Sequence, residues 1–214
     1  MNLFQKKFLI ITAHPDDLES GCGGLVARIL EEGGTVKNLI LVQPSAEQNK
    51  KRDKNIVEKE LAHSNQILKV NTEVYNTPLH DNGRPNLTIT NNLITYAESF
   101  MEDNNILISH WKEDHHQDHR ACFDVAKSIS RKHFEQFWCM DQTPYNLHYK
   151  NFNCNQYIDI TDFVNVKKKA LESYVSYYDE ESIDRILNYN KYRGSFLGQG
   201  RVAETFQIMY NKNI

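Results

Sequence analysis

The sequence predicts an α/β fold built on a mostly parallel sheet of order near 3-2-1-4-5, with helices on both faces and a C-terminal elaboration. Three observations carry this. Short apolar runs alternate with amphipathic stretches through the first two thirds of the chain. The rhythm changes after Asp141. No repeat, low-complexity linker or long charge block divides the 214 residues, so a single domain over 1–214 is expected.

The elements follow in order. KFLIITA (7–13) reads as a buried strand, and Leu25, Val26, Ile29 and Leu30 form a helical stripe over 24–32. TVKNLILV (35–42) is a second strand, and Val57, Leu61 and Leu68 place a helix over 52–68. EVYN (73–76) is a short strand, PLHDNGRPN (78–86) a turn-rich loop, and Thr90 can cap a helix running to about Met101. NILIS (105–109) and QFWCM (136–140) are strands around a helix at 117–131, whose face carries Ala121, Cys122, Val125, Ala126 and Ile129. Beyond these, YIDI (157–160) and VAETFQIMY (202–210) read as strands, and 162–178 and 181–192 as helices. Such βαβ alternation is Rossmann-like.

Composition bounds the function. Hydrophobic residues make up 40% and charged residues 25%, which suits a globular protein with a sizeable core. A formal net charge of −3 argues against a nucleic-acid partner. No apolar run approaches the roughly 20 residues that a membrane helix needs, so no membrane insertion is expected. Lys6 and Lys7 precede an apolar run too short for a signal peptide, and the expected location is cytoplasmic. Cys22, Cys122, Cys139 and Cys154 form no CxxC and read as unbridged thiols.

The chemistry concentrates in two stretches. HPDDLES follows the first strand, and HWKEDHHQDH (110–119) follows the fourth. In a sheet of this order the mouths of those strands are neighbours at the point where strand order reverses, which is where open α/β sheets bind ligands. Alone, an Asp-Asp pair after a strand is a solvated turn or an N-cap, GCGG a tight turn, and a His-rich loop a solvated surface. Their joint occurrence at adjacent mouths points instead to a divalent metal. His14, Asp17 and His119 are the candidate ligands, two imidazoles and a carboxylate with a position left open. Asp16 is then free to act as a base on a water, and His116, if protonated, can donate to an oxyanion while Asp118 holds its charge.

The segments AHPDDLESGCGG (13–24) and HQDHRAC (116–122) resemble the PIG-L/LmbE-like family of zinc-dependent N-acetylglucosaminyl deacetylases. Weaker likenesses extend over SAE (45–47), VEKELAHSNQILKV (57–70), YIDIT (157–161), KKKAL (167–171) and YRGSFLGQGRVAETF (192–206). By position the resemblance implies metal ligation by His14, Asp17 and His119. It implies a general base at Asp16, an oxyanion-stabilising histidine at His116 and its partner at Asp118. It further suggests substrate contacts from Arg52 and Asp81. The implied reaction removes an acetyl group from an N-acetylated amino sugar or its conjugate, with Zn2+ as cofactor and Fe2+ as a second possibility. One departure is ESYVSYY (172–178), where family members carry His and Gln and this chain has Tyr174 and Tyr177. The tyrosines of this region could form a sugar-stacking wall or simply core.

Other readings stay open at this stage. The same centre could serve an amidase acting on another amide-linked sugar or thiol conjugate. Two histidines and a carboxylate also describe non-haem iron oxygenases. The Gly-rich turn could belong to a non-catalytic sugar- or nucleotide-binding protein, although G-x-G-G lacks the full dinucleotide fingerprint. A homo-oligomer is compatible with the sequence.

Overall fold

The structure, a computed structural model, describes residues 2–44, 53–81, 84–101, 106–144 and 150–212. Its elements run β1 (Lys7–Thr12), α1 (Asp17–Glu31), β2 (Thr35–Ile40), α2 (Lys54–Leu68), β3 (Asn71–Val74), α3 (Asn91–Glu98) and β4 (Ile106–Ser109). There follow α4 (Gln117–His133), β5 (Gln136–Met140), β6 (Gln156–Asp159), α5 (Val164–Glu172), α6 (Glu180–Gly194) and β7 (Ala203–Asn211). The sheet order is β3-β2-β1-β4-β5-β7-β6. The first five strands are parallel, and β7 runs antiparallel to both β5 and β6.

Strand order places β1 between β2 and β4, so Ile11 pairs with Leu39 on one side and Ser109 on the other. Burial on both faces explains why β1 reads as an unbroken apolar run. Phe8 and Ile10 pack with Leu25, Val26 and Ile29 of α1 and with Ala170 of α5. Leu9 and Ile11 pack on the opposite face with Val125, Ala126 and Ile129 of α4 and Leu93 of α3. A third cluster joins Ile40, Leu61, Leu171, Tyr174, Tyr178, Ile183, Ile186 and Leu187 where α2, α5 and α6 meet. The four cysteines are free thiols. Among the described residues no helix is long and apolar enough to cross a membrane.

Several boundaries differ from the sequence reading. The first helix starts at Asp17, well before the apolar stripe, because its first turn is made of buried polar residues. The glycines of GCGG therefore lie inside that helix. Cys22 leaves helical geometry (φ −149°, ψ 21°), and the break exposes backbone groups to the interior. Glu204 of β7 answers it by accepting Gly24 N–H at 2.9 Å and Leu25 N–H at 2.7 Å. Lys167 of α5 donates to Ser20 O at 2.9 Å and to Glu204 Oε1 at 2.7 Å. A Cβ at Gly24 would stand 2.7 Å from Ile160 Cδ1, so that glycine serves close packing of the helix rather than room for a ligand. The helix expected over 162–178 ends at Glu172, after which the chain turns across the carboxyl edge of the sheet. Thr90 does cap α3, accepting the Leu93 N–H at 3.2 Å, but that helix stops at Glu98.

Candidate metal centre

Two strand mouths build the site. After β1 the chain passes Ala13, His14 and Pro15, and α1 begins at Asp17. Asp16 takes a left-handed backbone (φ 110°, ψ −22°), a conformation that costs energy for a residue other than glycine. The turn is held by the next residue, since Asp17 Oδ2 accepts the His14 N–H at 2.7 Å. After β4 come His110 and a short loop, and α4 opens with His116 at its cap position. His119 thus sits in the first turn of a long helix, with its side chain buried.

The Asp17 carboxylate is the hub. His14 Nδ1 lies 3.4 Å from Oδ2, and His119 Nε2 lies 3.3 Å from Oδ1. Two ligand atoms on one tetrahedral zinc are about 3.3 Å apart when each bond is about 2.0 Å, so each pair, on its own carboxylate oxygen, has the spacing of two ligands of one ion. His14, His116 and His119 bring ring nitrogens within 4.8 Å of one another, and Asp17, His110 and His119 form a second such group. His110 Nε2 comes within 3.4 Å of Asp17 Oδ2, but its lone pair is taken. It accepts the Ala13 N–H at 2.9 Å, which assigns the ring proton to Nδ1, where Gln142 Oε1 accepts it at 2.7 Å. Gln142 Nε2 in turn donates to Asp17 Oδ1 at 3.2 Å. Behind His119, Asp114 Oδ2 sits 3.0 Å from Nδ1 and leaves Nε2 turned toward Asp17.

The charges follow from this geometry. Burial opposes a charge on Asp17, yet the attraction of His119 outweighs it and holds the carboxyl well below the usual range. Burial likewise opposes a charge on His14, but Asp118 and Asp17 raise it to about 9. His119 is raised against burial to about 10, by Asp17 and Asp114. The acids thus draw positive charge to the point where a cation would bind. Burial, with repulsion from His14 and His119, lowers His116 to about 4. Its Nδ1 accepts the Asp118 N–H at 3.2 Å, which leaves the proton of the neutral ring on Nε2. The Asp118 carboxylate is nearer to His14 Nε2, at 3.2 Å, than to His116 Nδ1, at 3.9 Å. Burial and the Asp17 charge push Asp16 well above the usual carboxylate range, and Tyr178 Oη donates to its Oδ2 at 2.6 Å.

The family model for PIG-L, described as GlcNAc-PI de-N-acetylase, matches residues 9–130 and so spans both strand mouths. The chain belongs to the PIG-L/LmbE family. No curated protein matches its sequence. Among solved structures, this PIG-L chain is similar to the conserved protein TT1542 from Thermus thermophilus, with 23% identity, a TM-score of 0.77 and coverage of 96% of this chain and 95% of that one. It is similar to GalB, the 4-carboxy-2-hydroxymuconate hydratase from Pseudomonas putida, with 16% identity, a TM-score of 0.74 and 96% of each chain covered. It is also similar to the N,N'-diacetylchitobiose deacetylase from Pyrococcus horikoshii, with 19% identity, a TM-score of 0.72 and coverage of 95% and 84%. A hydratase and a deacetylase share this fold, so the fold alone does not select the reaction.

A cavity of about 240 Å³ opens beside the PIG-L centre, lined by His14, Pro15, Val42, Gln43, Pro44, Arg84, Pro85, His116, Gln117, Asp118 and Tyr177. Of the two expected substrate contacts, Arg52 lies outside the described residues, as does SAE (45–47). Asp81 is exposed in its turn, which reaches the cavity wall through Arg84 and Pro85 instead. The tyrosines divide their roles. Tyr174 and Tyr178 belong to the core, while Tyr177 faces the cavity. Sequence reasoning missed Asp114, His110, Gln142, Arg84 and Tyr178. A carboxylate behind a ligand imidazole is a common pairing, so Asp114 in the His-rich loop was open to discovery. Gln142, just past the end of β5, was placed by topology beside β4. The core role of Tyr178 was among the readings of the tyrosine-rich stretch, but nothing local marked its bond to Asp16.

Proposed function

We propose that this PIG-L protein is a metal-dependent hydrolase that removes the acetyl group from an N-acetylated amino sugar or its conjugate, giving acetate and a free amine. The observation that supports the reading is that Asp17 has His14 Nδ1 3.4 Å from one carboxylate oxygen and His119 Nε2 3.3 Å from the other, close to a cavity large enough for a sugar. The family description and the likeness to a chitobiose deacetylase favour an acetamide over other bonds.

His14, Asp17 and His119 would hold the ion, and neutral imidazoles with one carboxylate suit Zn2+ or Fe2+. Such an ion lowers the pKa of a bound water and polarises the acetyl carbonyl. The protein's own groups do the rest. Tyr178 occupies one oxygen of Asp16, so Oδ1 is the atom available to take a proton from the attacking water. As the water oxygen bonds to the acetyl carbon, the Nε2–H of His116 donates to the carbonyl oxygen. Asp16 then returns its proton to the sugar nitrogen as the C–N bond breaks. Arg84, Gln43, Gln117 and Tyr177 offer polar contacts to the sugar hydroxyls from the cavity wall. Arg52 and Asp81 remain part of the proposal as contacts to larger substrates.

The test is to supply Zn2+ or, anaerobically, Fe2+ and to screen N-acetylated monosaccharides, oligomers and nucleotide-linked sugars for acetate and primary amine. Equimolar release of both, lost with a chelator, is expected. No release from any member with either metal would overturn the reading.

A further inference from the structure

We propose that Tyr178 is a positioning residue for Asp16, committing one carboxylate oxygen to its phenol so that the other is held toward the reacting water. The inference rests on the reading of Asp16 as the proton acceptor.

Asp16 is not fixed by its own helix. It occupies the cap position of α1 in a left-handed backbone, and its side chain makes no cap hydrogen bond. Among the described residues, the hydrogen-bond partner of its carboxylate is Tyr178, at 2.6 Å. Hydrogen bonds to a carboxylate are short and strong, so this contact is a restraint on the buried Asp16 side chain.

Tyr178 is well placed to fix it, because the segment that carries it is tied down repeatedly. Its ring packs with Leu61, Ile183, Ile186 and Leu187. Its N–H donates to Tyr174 O at 2.9 Å. Tyr174 Oη donates to Glu19 Oε1 at 3.1 Å, and Ser176 N–H to Glu60 Oε1 at 2.9 Å. One five-residue turn after α5 thus grips α1 at Glu19 and the loop before it at Asp16, while Tyr177 between them faces the cavity.

Tyr178→Phe keeps the ring and removes only the hydroxyl. In the zinc-loaded protein, kcat should fall about 10- to 100-fold, the scale of a misplaced catalytic group, with KM and zinc content within twofold of wild type. In an Asp16→Asn background the same change should cost less than twofold, since a brace has no effect once the braced group is disabled. An unchanged kcat, or a full additional loss in the Asp16→Asn background, would overturn the inference. A crystal structure of Tyr178→Phe decides independently of turnover. A rotated Asp16 carboxylate is expected, and an unmoved one refutes the role. If the wild type hydrolyses no acetamide, the proposed reaction fails, and the crystal structure still decides whether Tyr178 sets the Asp16 rotamer.

Discussion

Asp17 Oδ1 lies 3.3 Å from His119 Nε2, which joins the first residue of α1 to the first turn of α4 across the mouths of two neighbouring strands. Both groups are buried, and each is oriented from behind, Asp17 by Gln142 and the His14 N–H, and His119 by Asp114. The pair is the centre of the proposed ion site.

Removing either side should therefore remove the ion. His119→Ala and Asp17→Ala are each expected to lower Zn2+ affinity by more than about 100-fold, since loss of even an outer partner of a ligand costs up to that much. Elemental analysis after dialysis against a zinc buffer reads the loss. Stoichiometric zinc retained in both variants would sink the ligand assignment.

Asp16 should behave differently. Asp16→Ala is expected to keep its zinc and to lose about 10²- to 10⁴-fold in kcat, the usual contribution of a general base. Turnover within threefold of wild type would remove Asp16 from the chemistry.

Ion binding should displace protons. In the metal-free protein His14 holds its proton to about pH 9 and His119 to about pH 10, because Asp118, Asp17 and Asp114 overcome the cost of burial. Below those values an ion must expel both protons, so affinity should rise with pH by up to about 100-fold per unit between pH 6 and 8. His116, lowered to about 4, contributes nothing in that range. Calorimetry in buffers of different ionisation enthalpy counts the protons released. A count near zero at pH 7 would contradict the electrostatic picture.

The orienting groups should matter nearly as much as the ligands. Asp114→Ala leaves His119 Nδ1 without its acceptor, and Gln142→Ala removes an amide donor from Asp17. Each is expected to weaken zinc binding about 10- to 100-fold with secondary structure unchanged by circular dichroism. Unaltered affinity in both would make these contacts incidental.

The break in α1 gives a stability prediction. Lys167 and Glu204 are both fully buried and bridge the chain at Cys22. Lys167→Met would leave the Glu204 carboxylate buried without its cation, at a cost of about 3–5 kcal/mol. A fall in Tm of about 10 °C is expected for a domain of this size. A shift under 2 °C would show that Glu204 is satisfied by Gly24 and Leu25 alone.

Much of this site was legible in the sequence because its parts are local. Apolar runs buried on both faces marked β1, β2, β4 and β5, and strand order then placed HPDD beside the His-rich loop. The rest depended on distant contacts. The start of α1 escapes the sequence pattern because Asp17, Glu19 and Ser20 are buried by partners from other elements, which no periodicity records. The bond of Tyr178 to Asp16 was invisible for the same reason, since it exists only once α5 and α6 have packed over the end of the sheet. Asp81 is exposed in the turn whose Arg84 and Pro85 line the cavity, a placement that the sequence alone does not give.

Anomalous diffraction at the zinc edge from crystals soaked in Zn2+ tests the central claim most directly. One peak within bonding distance of His14 Nδ1, Asp17 and His119 Nε2 is the expected result. Full occupancy at any other site, with these three side chains left bonded to one another, would contradict it.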